Sequence, residues 1–288
     1  MTTEATPLLI VGGTGRIGRA LRRQDAAFEA AHLRPIWQSR AQTPGFMAWD
    51  ILAEQCPAGA ARGVVLCLAG VIRGGPTELA RNEALALAAC SAAAEQGARH
   101  VFLASSAAIY GPSDSALSEQ ARPAPPGPYG AAKLMMERAA ARVARDWHRA
   151  DGPGLTILRI GNIAGFDALL GGMIPGTSVW LDPVEGQRGG PVRSYIGPLT
   201  LGAVLAQLMG LAATGKRLPR VLNIAAAPAV SMADLLVAAG ADWGYGQPDP
   251  AVVPRVELDT GLLRRFVDMP AQAGQAAALV AEWRSMAE

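Results

Sequence analysis

"LLIVGGTGRIGRAL", residues 8–21, is an apolar run, a glycine turn and the opening of a helix. Gly12, Gly15 and Gly18 stand three apart, directly after the strand pattern PLLIV (7–11). In such a turn no side chain keeps a pyrophosphate away, and the helix N-terminus offers N–H groups and the positive end of its dipole. The strand–glycine loop–helix order therefore predicts a dinucleotide site, with Gly12, Thr14, Gly15, Arg16, Ile17 and Gly18 as its candidate residues.

The next strand bears on which dinucleotide. NAD sites usually present a carboxylate about 20 residues after the glycines, for the adenosine ribose 2′-hydroxyl. Here LRPIW (33–37) runs out into Gln38, Ser39 and Arg40, with no acid. Ser39, Arg40 and the loop residue Arg16 are expected to meet a 2′-phosphate by charge-assisted bonds, so NADP is expected in preference to NAD.

Working outward, FMAWD (46–50), GVVLCLAG (63–70), HVFLASS (100–106), LTILRIGN (155–162) and RVLNIA (220–225) read as further strands. Helical patterns at 77–96, 129–149 and 200–213 separate them. This alternation predicts an α/β fold, a Rossmann-type doubly wound parallel sheet. Residues 166–195 are rich in glycine and proline and break the rhythm. The expected organisation is an NAD(P)-binding Rossmann domain over 1–165, to which 196–226 return. A small C-terminal substrate-binding part takes 166–195 and 227–288.

Half of the 288 residues are hydrophobic and 17% are charged, enough apolar sequence for a sizeable core. The net charge of +2, without a basic run, excludes nucleic acid as an expected partner. Three cysteines and three histidines are scattered without metal-ligand spacing, so no metal is expected. The run Leu8–Val11 is far too short for a signal peptide, and no stretch nears the ~20 apolar residues of a membrane span. A cytoplasmic protein acting on a small molecule, with no membrane partner, is the expectation. The alanine-rich helices at 77–96 and 129–149 offer small-residue faces on which a homodimer could form.

GPYGAAKLMMERAA (127–140) holds Tyr129 and Lys133 four apart, where side chains on one helix face meet. Of 26 basic residues 24 are arginine, and only Lys133 and Lys216 are lysine, the cation that is able to deprotonate. Farther along the helix, Arg138, Arg142 and Arg145 alternate with Glu137 and Asp146, which reads as a solvated face.

Taken in order, these motifs resemble the extended short-chain dehydrogenase/reductases, the NAD(P)-dependent epimerase/dehydratase family, from residue 8 to about 240. LLIVGGTGRIGRAL resembles the opening strand, loop and helix, and Asp50-Ile51 the pair that meets the adenine. LCLAG, with Leu68, Ala69 and Gly70, is similar to the fourth-strand end that passes along the cofactor, and Asn82 falls on the family's helix asparagine. VFLASSAAIYG resembles the serine strand, PYGAAK the Y-x-x-x-K element and LRIGNIAG the L-R-x-x-N-x-x-G element. VLNIAAAPAVSMADLL resembles the late strand and helix.

The resemblance implies a catalytic group of Ser106, Tyr129 and Lys133. Tyr129 would exchange a proton with the substrate hydroxyl or carbonyl. Lys133 would lower the tyrosine pKa and bind the nicotinamide ribose, so both also count as cofactor residues. Ser106 would bond the reacting oxygen. Asn162 and Arg193 would join Ser106 in binding substrate, with Arg193 clamping a diphosphate. The implied activity is that of an NAD(P)-dependent oxidoreductase or epimerase, moving a hydride between nicotinamide and a carbinol or carbonyl carbon. A nucleotide-sugar or a smaller carbonyl compound is the implied substrate. A non-catalytic NAD(P)-binding regulatory or assembly protein is the alternative. Two departures matter. Ala107 and Ala108 stand where dehydratases carry Asp-Glu, which disfavours dehydration, and Gly197, Pro198 and Thr200 replace the usual His, Val and Asp.

Overall fold

The structure, a computed structural model, describes residues 4–149 and 152–286. In chain order, β1 (Thr6–Val11), α1 (Arg16–Arg22), α2 (Asp25–Ala30), β2 (Leu33–Ser39), β3 (Met47–Ala48) and β4 (Val64–Cys67) come first. α3 (Pro76–Glu95), β5 (His100–Ser106), α4 (Pro128–Arg149) and β6 (Gly154–Ile160) follow. Then come β7 (Asn162–Ile163), β8 (Val179–Leu181), β9 (Val192–Ile196), α5 (Pro198–Ala213), β10 (Val221–Ile224) and β11 (Ala226–Ser231). α6 (Met232–Ala238), β12 (Trp243–Tyr245), β13 (Arg255–Val256) and α7 (Ala276–Ser285) complete the set.

The main sheet has seven strands in the order β10-β6-β5-β4-β1-β2-β3. The pairs β2–β3, β1–β2, β1–β4 and β4–β5 are parallel. Strand order reverses between β1 and β4, at whose carboxyl ends an open α/β sheet places its ligand. Alternation along each strand explains why these segments read as unbroken apolar runs. Leu9, Val11, Val65, Cys67, Val101 and Leu103 pack under α3 and α4 with Ala86, Ala89, Ala93, Met136 and Ala140. Leu8, Ile10, Leu66 and Phe102, of the opposite parity, are fully buried as well, so both faces are covered. The expected doubly wound α/β fold is what forms. The small-residue faces of α3 and α4 lie in this core of one chain, so the homodimer has no support from them.

Two compact units divide the chain. The first takes the chain up to Ile109, Pro125–Arg159 and Gly202–Leu222; the second takes Tyr110–Ala124, Ile160–Leu201 and the chain from Asn223 onward. The second unit carries the sheet β11-β9-β13, with β7 also paired to β9, and the pair β12–β8. Residues 110–124 fall in it, and not with the strand they follow, because hydrogen bonds tie them there. Leu117 N–H donates to the Glu257 carbonyl (2.7 Å) and Asp259 N–H to the Leu117 carbonyl (2.9 Å). Buried Asn223 closes the knot. Its Nδ2 donates to the carbonyls of Leu117 (2.8 Å) and Asp259 (3.1 Å), and its Oδ1 accepts from the Tyr110 hydroxyl (2.9 Å).

No described helix is long and apolar enough to cross a membrane. The stability of the second unit should hinge on Asn223. Asn223→Leu, similar in size, withdraws the amide from all three groups; Leu117 keeps the Asp259 N–H and the Tyr110 hydroxyl keeps the Ser118 carbonyl, so the Asp259 carbonyl bears the main loss, about 1–3 kcal/mol. Urea unfolding should show a loss of about 1–3 kcal/mol, and a loss below about 1 kcal/mol would mean that water replaces the amide.

Candidate functional site

The glycine loop is defined by close backbone approach. Gly12 has φ +87, and a Cβ there would lie 2.7 Å from the Ala69 nitrogen. A Cβ on Gly18 would lie 2.5 Å from the Gly12 carbonyl oxygen, so α1 can start only this close to β1 without a side chain. Leu68 N–H donates to the Val11 carbonyl at 2.9 Å, which brings the segment after β4 alongside the loop. Gln38 fixes the other side: its Oε1 accepts from Gly12 N–H (2.8 Å) and its Nε2 donates to the Trp49 carbonyl (2.5 Å). Sequence reading noted Gln38 only as a missing acid. Its place at the end of the second strand was the available signal.

The other expected cofactor residues fall into two sets. Gly70, Asn82 and Lys133 come together, since a Cβ on Gly70 would lie 2.8 Å from Asn82 Oδ1 and 3.1 Å from Lys133 Nζ. Asn82 holds this turn by accepting from Val71 N–H (3.1 Å) and donating to the carbonyls of Val71 (2.8 Å) and Leu79 (2.9 Å). Asp50 accepts from Leu52 N–H (3.1 Å), which makes its carboxylate the cap of a turn, and Ile51 beside it is buried. Arg16 and Ile17 begin α1, while Arg40 lies on the exposed bend after β2. The Ser39 hydroxyl donates to the Ala41 carbonyl.

The catalytic candidates arise where α4 crosses the end of β5. Lys133 Nζ donates to the Ala104 carbonyl (2.9 Å), and the Ser105 hydroxyl donates to Glu137 (2.6 Å). The Ser106 side chain hydrogen-bonds Tyr129. Three consecutive strand residues thus meet three residues placed one helical turn apart. Gly130 permits the approach: a Cβ there would sit 2.0 Å from the Ala108 carbonyl oxygen.

Burial sets the electrostatics. It pushes the Tyr129 phenol above its ordinary value, against a smaller lowering by the Ser106 hydrogen bond. The lowering expected from Lys133 is therefore not what this geometry gives, because the ammonium is turned onto Ala104 and is itself desolvated. Burial brings Lys133 down to about 8, opposed by the charges of Cys67 and Glu137. Cys67, enclosed under α4, is pushed up to about 11 by burial.

Two residues of this group were missed. Glu137, read as part of a solvated face, is buried and receives Arg159 through Nη2 at 2.8 Å and Nε at 3.2 Å. Arg159 is the arginine of LRIGN and is buried too. The available signal was the spacing of Tyr129, Lys133 and Glu137 at i, i+4 and i+8, which puts all three on one stripe.

In the second unit, Asn162 pairs with Tyr195 across β7 and β9, and its side chain bonds the Tyr195 hydroxyl. That hydroxyl also donates to Asp167 (2.6 Å). Arg193, expected to clamp a diphosphate, commits its guanidinium to main-chain carbonyls. Nη1 donates to Val192 (2.9 Å) and Nη2 to Val253 (2.7 Å), which ties β9 to the chain before β13.

Comparison with known proteins adds the following. The sequence model of the NAD dependent epimerase/dehydratase family matches residues 8–175. No curated protein matches the chain. Among solved structures, MoeE5 in complex with UDP-glucuronic acid and NAD superposes with a TM-score of 0.74 at 21% identity, covering 97% of this chain and 99% of its own. UDP-glucuronic acid 4-epimerase from Bacillus cereus, a tyrosine-to-phenylalanine mutant in complex with UDP-4-deoxy-4-fluoro-glucuronic acid and NAD, gives 0.75 at 16% identity, covering 98% and 99%. DesIV, a dTDP-glucose 4,6-dehydratase from Streptomyces venezuelae, solved as a double mutant with NAD bound, gives 0.72 at 20% identity, covering 96% and 96%. These structures hold NAD, and they overturn the expectation of NADP. The physical reason lies at the end of β2: Ser39 is turned onto Ala41 and Arg40 is solvent-exposed, so the missing acid does not amount to a phosphate site.

The burial of Lys133 makes a pH prediction. Its folded value of about 8 lies below the ordinary 10.5, so between those values the unfolded chain holds a proton that the folded chain has released. Stability must then rise with pH across that window. Relative to Lys133→Met, the parent should gain up to about 3 kcal/mol from pH 8 to pH 10.5, with no such change below pH 7. Urea melts of both proteins across this range give the difference directly, and a flat difference would show that Lys133 is not desolvated.

Proposed function

We propose that this chain, which belongs to the NAD dependent epimerase/dehydratase family, is an NAD-dependent epimerase or oxidoreductase acting on a nucleotide-sugar, with Tyr129 as its acid/base. The observation that carries the reading is the convergence of Ser106, Tyr129 and Lys133 at the end of β5. The glycine geometry supports NAD as the cofactor. At Gly12, Gly18 and Gly70 a Cβ would strike the protein's own atoms, so the loop after β1, the start of α1 and the segment after β4 pack close together, the tight strand–loop–helix turn on which a dinucleotide pyrophosphate is held. Bound NAD supplies a carbon that accepts and returns a hydride.

Around that chemistry the chain's own residues divide the work. Ser106 orients the reacting oxygen, and the Tyr129 hydroxyl gives or takes its proton. Lys133, held by Ala104, stands one turn below, where it can bond a ribose hydroxyl. Burial keeps Tyr129 protonated until a cofactor or substrate charge arrives. Dehydration is disfavoured, because Ala107 and Ala108 bring no titratable group next to Ser106. On this reading Asn162 contacts substrate, and the enzyme works in the cytoplasm as a soluble protein.

UDP-sugars are the favoured substrate class, because MoeE5 and the Bacillus cereus epimerase were solved with them. A smaller carbonyl compound or alcohol is the second reading, and one observation favours it: the Arg193 guanidinium is bound to carbonyls and not poised for a diphosphate. The two separate in one assay. The purified protein is given NAD with UDP-glucose, UDP-glucuronic acid or simple secondary alcohols, while NADH absorbance and sugar configuration are followed. Turnover of a UDP-sugar is expected, and Tyr129→Phe should lower it by roughly 10²–10⁴-fold while NAD still binds. Turnover of alcohols alone would establish the second reading. Undiminished turnover in Tyr129→Phe would remove the acid/base role, and NAD binding without any turnover would favour a regulatory or assembly protein.

A further inference from the structure

The stripe on α4 continues beyond the residues that the chemistry uses. Tyr129 and Lys133 are followed one turn later by Glu137, a buried carboxylate facing the same strand end. Charged and titratable groups reach Lys133 from several elements. Cys67 comes from β4 and Glu137 from α4 itself, with Arg159 on β6 behind Glu137. The carbonyl of Ala104 on β5 accepts from Nζ, and Asn82 of α3 meets it across Gly70. Of these, Glu137 is the one carboxylate that faces Lys133 among the described residues.

A carboxylate in so dry a place is costly unless it is paired. Glu137 is paired on both sides: Arg159 donates from Nε and Nη2, and Ser105 donates its hydroxyl. Ser105 lies between Ala104, which accepts from Lys133, and Ser106, which meets Tyr129. The ion pair therefore grips the strand at the residue between the two catalytic contacts, and its negative end lies one turn from the ammonium.

We propose that Glu137 and Arg159 are positioning residues: their ion pair anchors Ser105, and with it the end of β5, while the Glu137 carboxylate keeps Lys133 an ammonium. This deepens the reading of Ser106, Tyr129 and Lys133 as the catalytic group and rests on it. Arg159 has a different task from Glu137. It neutralises the carboxylate enough for burial and fixes its direction by a two-nitrogen contact, a task suited to a planar guanidinium.

The test exploits the composition of the chain, whose two lysines are Lys133 and Lys216. In a Lys216→Arg background, protein labelled with 13Cε-lysine shows a single lysine resonance, and its titration reports the protonation of Lys133 without any turnover. Glu137→Gln should move the titration midpoint down by about one pH unit or more, because an opposite charge is lost at close range. Glu137→Asp, which keeps the charge, should restore most of the midpoint. Because Glu137→Gln takes the carboxylate from a buried guanidinium and is able to prevent folding, Glu137→Gln/Arg159→Met is measured beside it. That double variant removes both charges and should fold with a downward shift smaller than that of Glu137→Gln, because losing the guanidinium offsets part of the loss of the nearer carboxylate. In kinetics with NAD and the working substrate, the alkaline limb of kcat/KM should move down with the midpoint.

A midpoint unchanged in Glu137→Gln and in the double variant, or lowered as far by Glu137→Asp as by Glu137→Gln, would overturn the proposal and leave the pair a packing element. A midpoint that moves as expected in a protein without turnover would uphold the electrostatic coupling and defeat the catalytic reading instead. The two failures are thus separable.

Discussion

The crossing of α4 over the end of β5 is the contact on which the rest of the site depends. Lys133, Glu137 and Tyr129 engage Ala104, Ser105 and Ser106, one helical turn to one strand residue. The fit requires Gly130, which lets the first turn of α4 press on the Ala108 carbonyl. It also requires burial, and burial raises the electrostatic stakes. An ammonium, a carboxylate and a guanidinium withdrawn from water are tolerable only as a fully hydrogen-bonded set.

A second constraint acts through absence of side chains. The loop after β1, the segment after β4 and the start of α1 approach backbone to backbone at Gly12, Ala69 and Gly18. Gln38 closes this arrangement from β2 by bonding both Gly12 and the Trp49 carbonyl. The strip continues through Gly70 to Asn82 and Lys133, so the glycine loop and Lys133 are linked by close contacts across the ends of β1 and β4. The position is the point where strand order reverses, which is where open α/β sheets bind their ligands.

The second unit holds its polar residues differently. Asn223 binds two separate segments, 110–124 and the chain at Asp259, Arg193 ties β9 to the chain before β13, and Asp167 receives the Tyr195 hydroxyl. Side chains that look like ligand contacts in the sequence are here drawn into holding irregular chain together. This part of the chain has little regular structure with which to satisfy its carbonyls, so long polar side chains do that work. The solved structures share the fold at 16–21% identity, and a fold shared at that distance does not by itself fix a substrate.

Much was legible in the sequence because it depends on local rules. Apolar runs alternating with helical periods specify the doubly wound sheet, and glycines three apart between strand and helix mark the turn where backbones pack closest. The spacing of Tyr129 and Lys133 places them on one helix face. What only the tertiary structure decided are the partners that meet across elements distant in sequence. Glu137 looked solvated because its neighbours Arg138 and Arg142 are polar, yet Arg159, 22 residues away, makes its burial tolerable. Arg40 and Arg193 looked like anion sites because a guanidinium suits an anion, but one lies in solvent and the other on carbonyls. NADP was inferred from a missing acid, and an absence in one strand does not build a phosphate site. Periodicity and backbone sterics act between near neighbours and can be read along the chain. The state of a charge depends on what surrounds it in space, and the order of residues leaves that open.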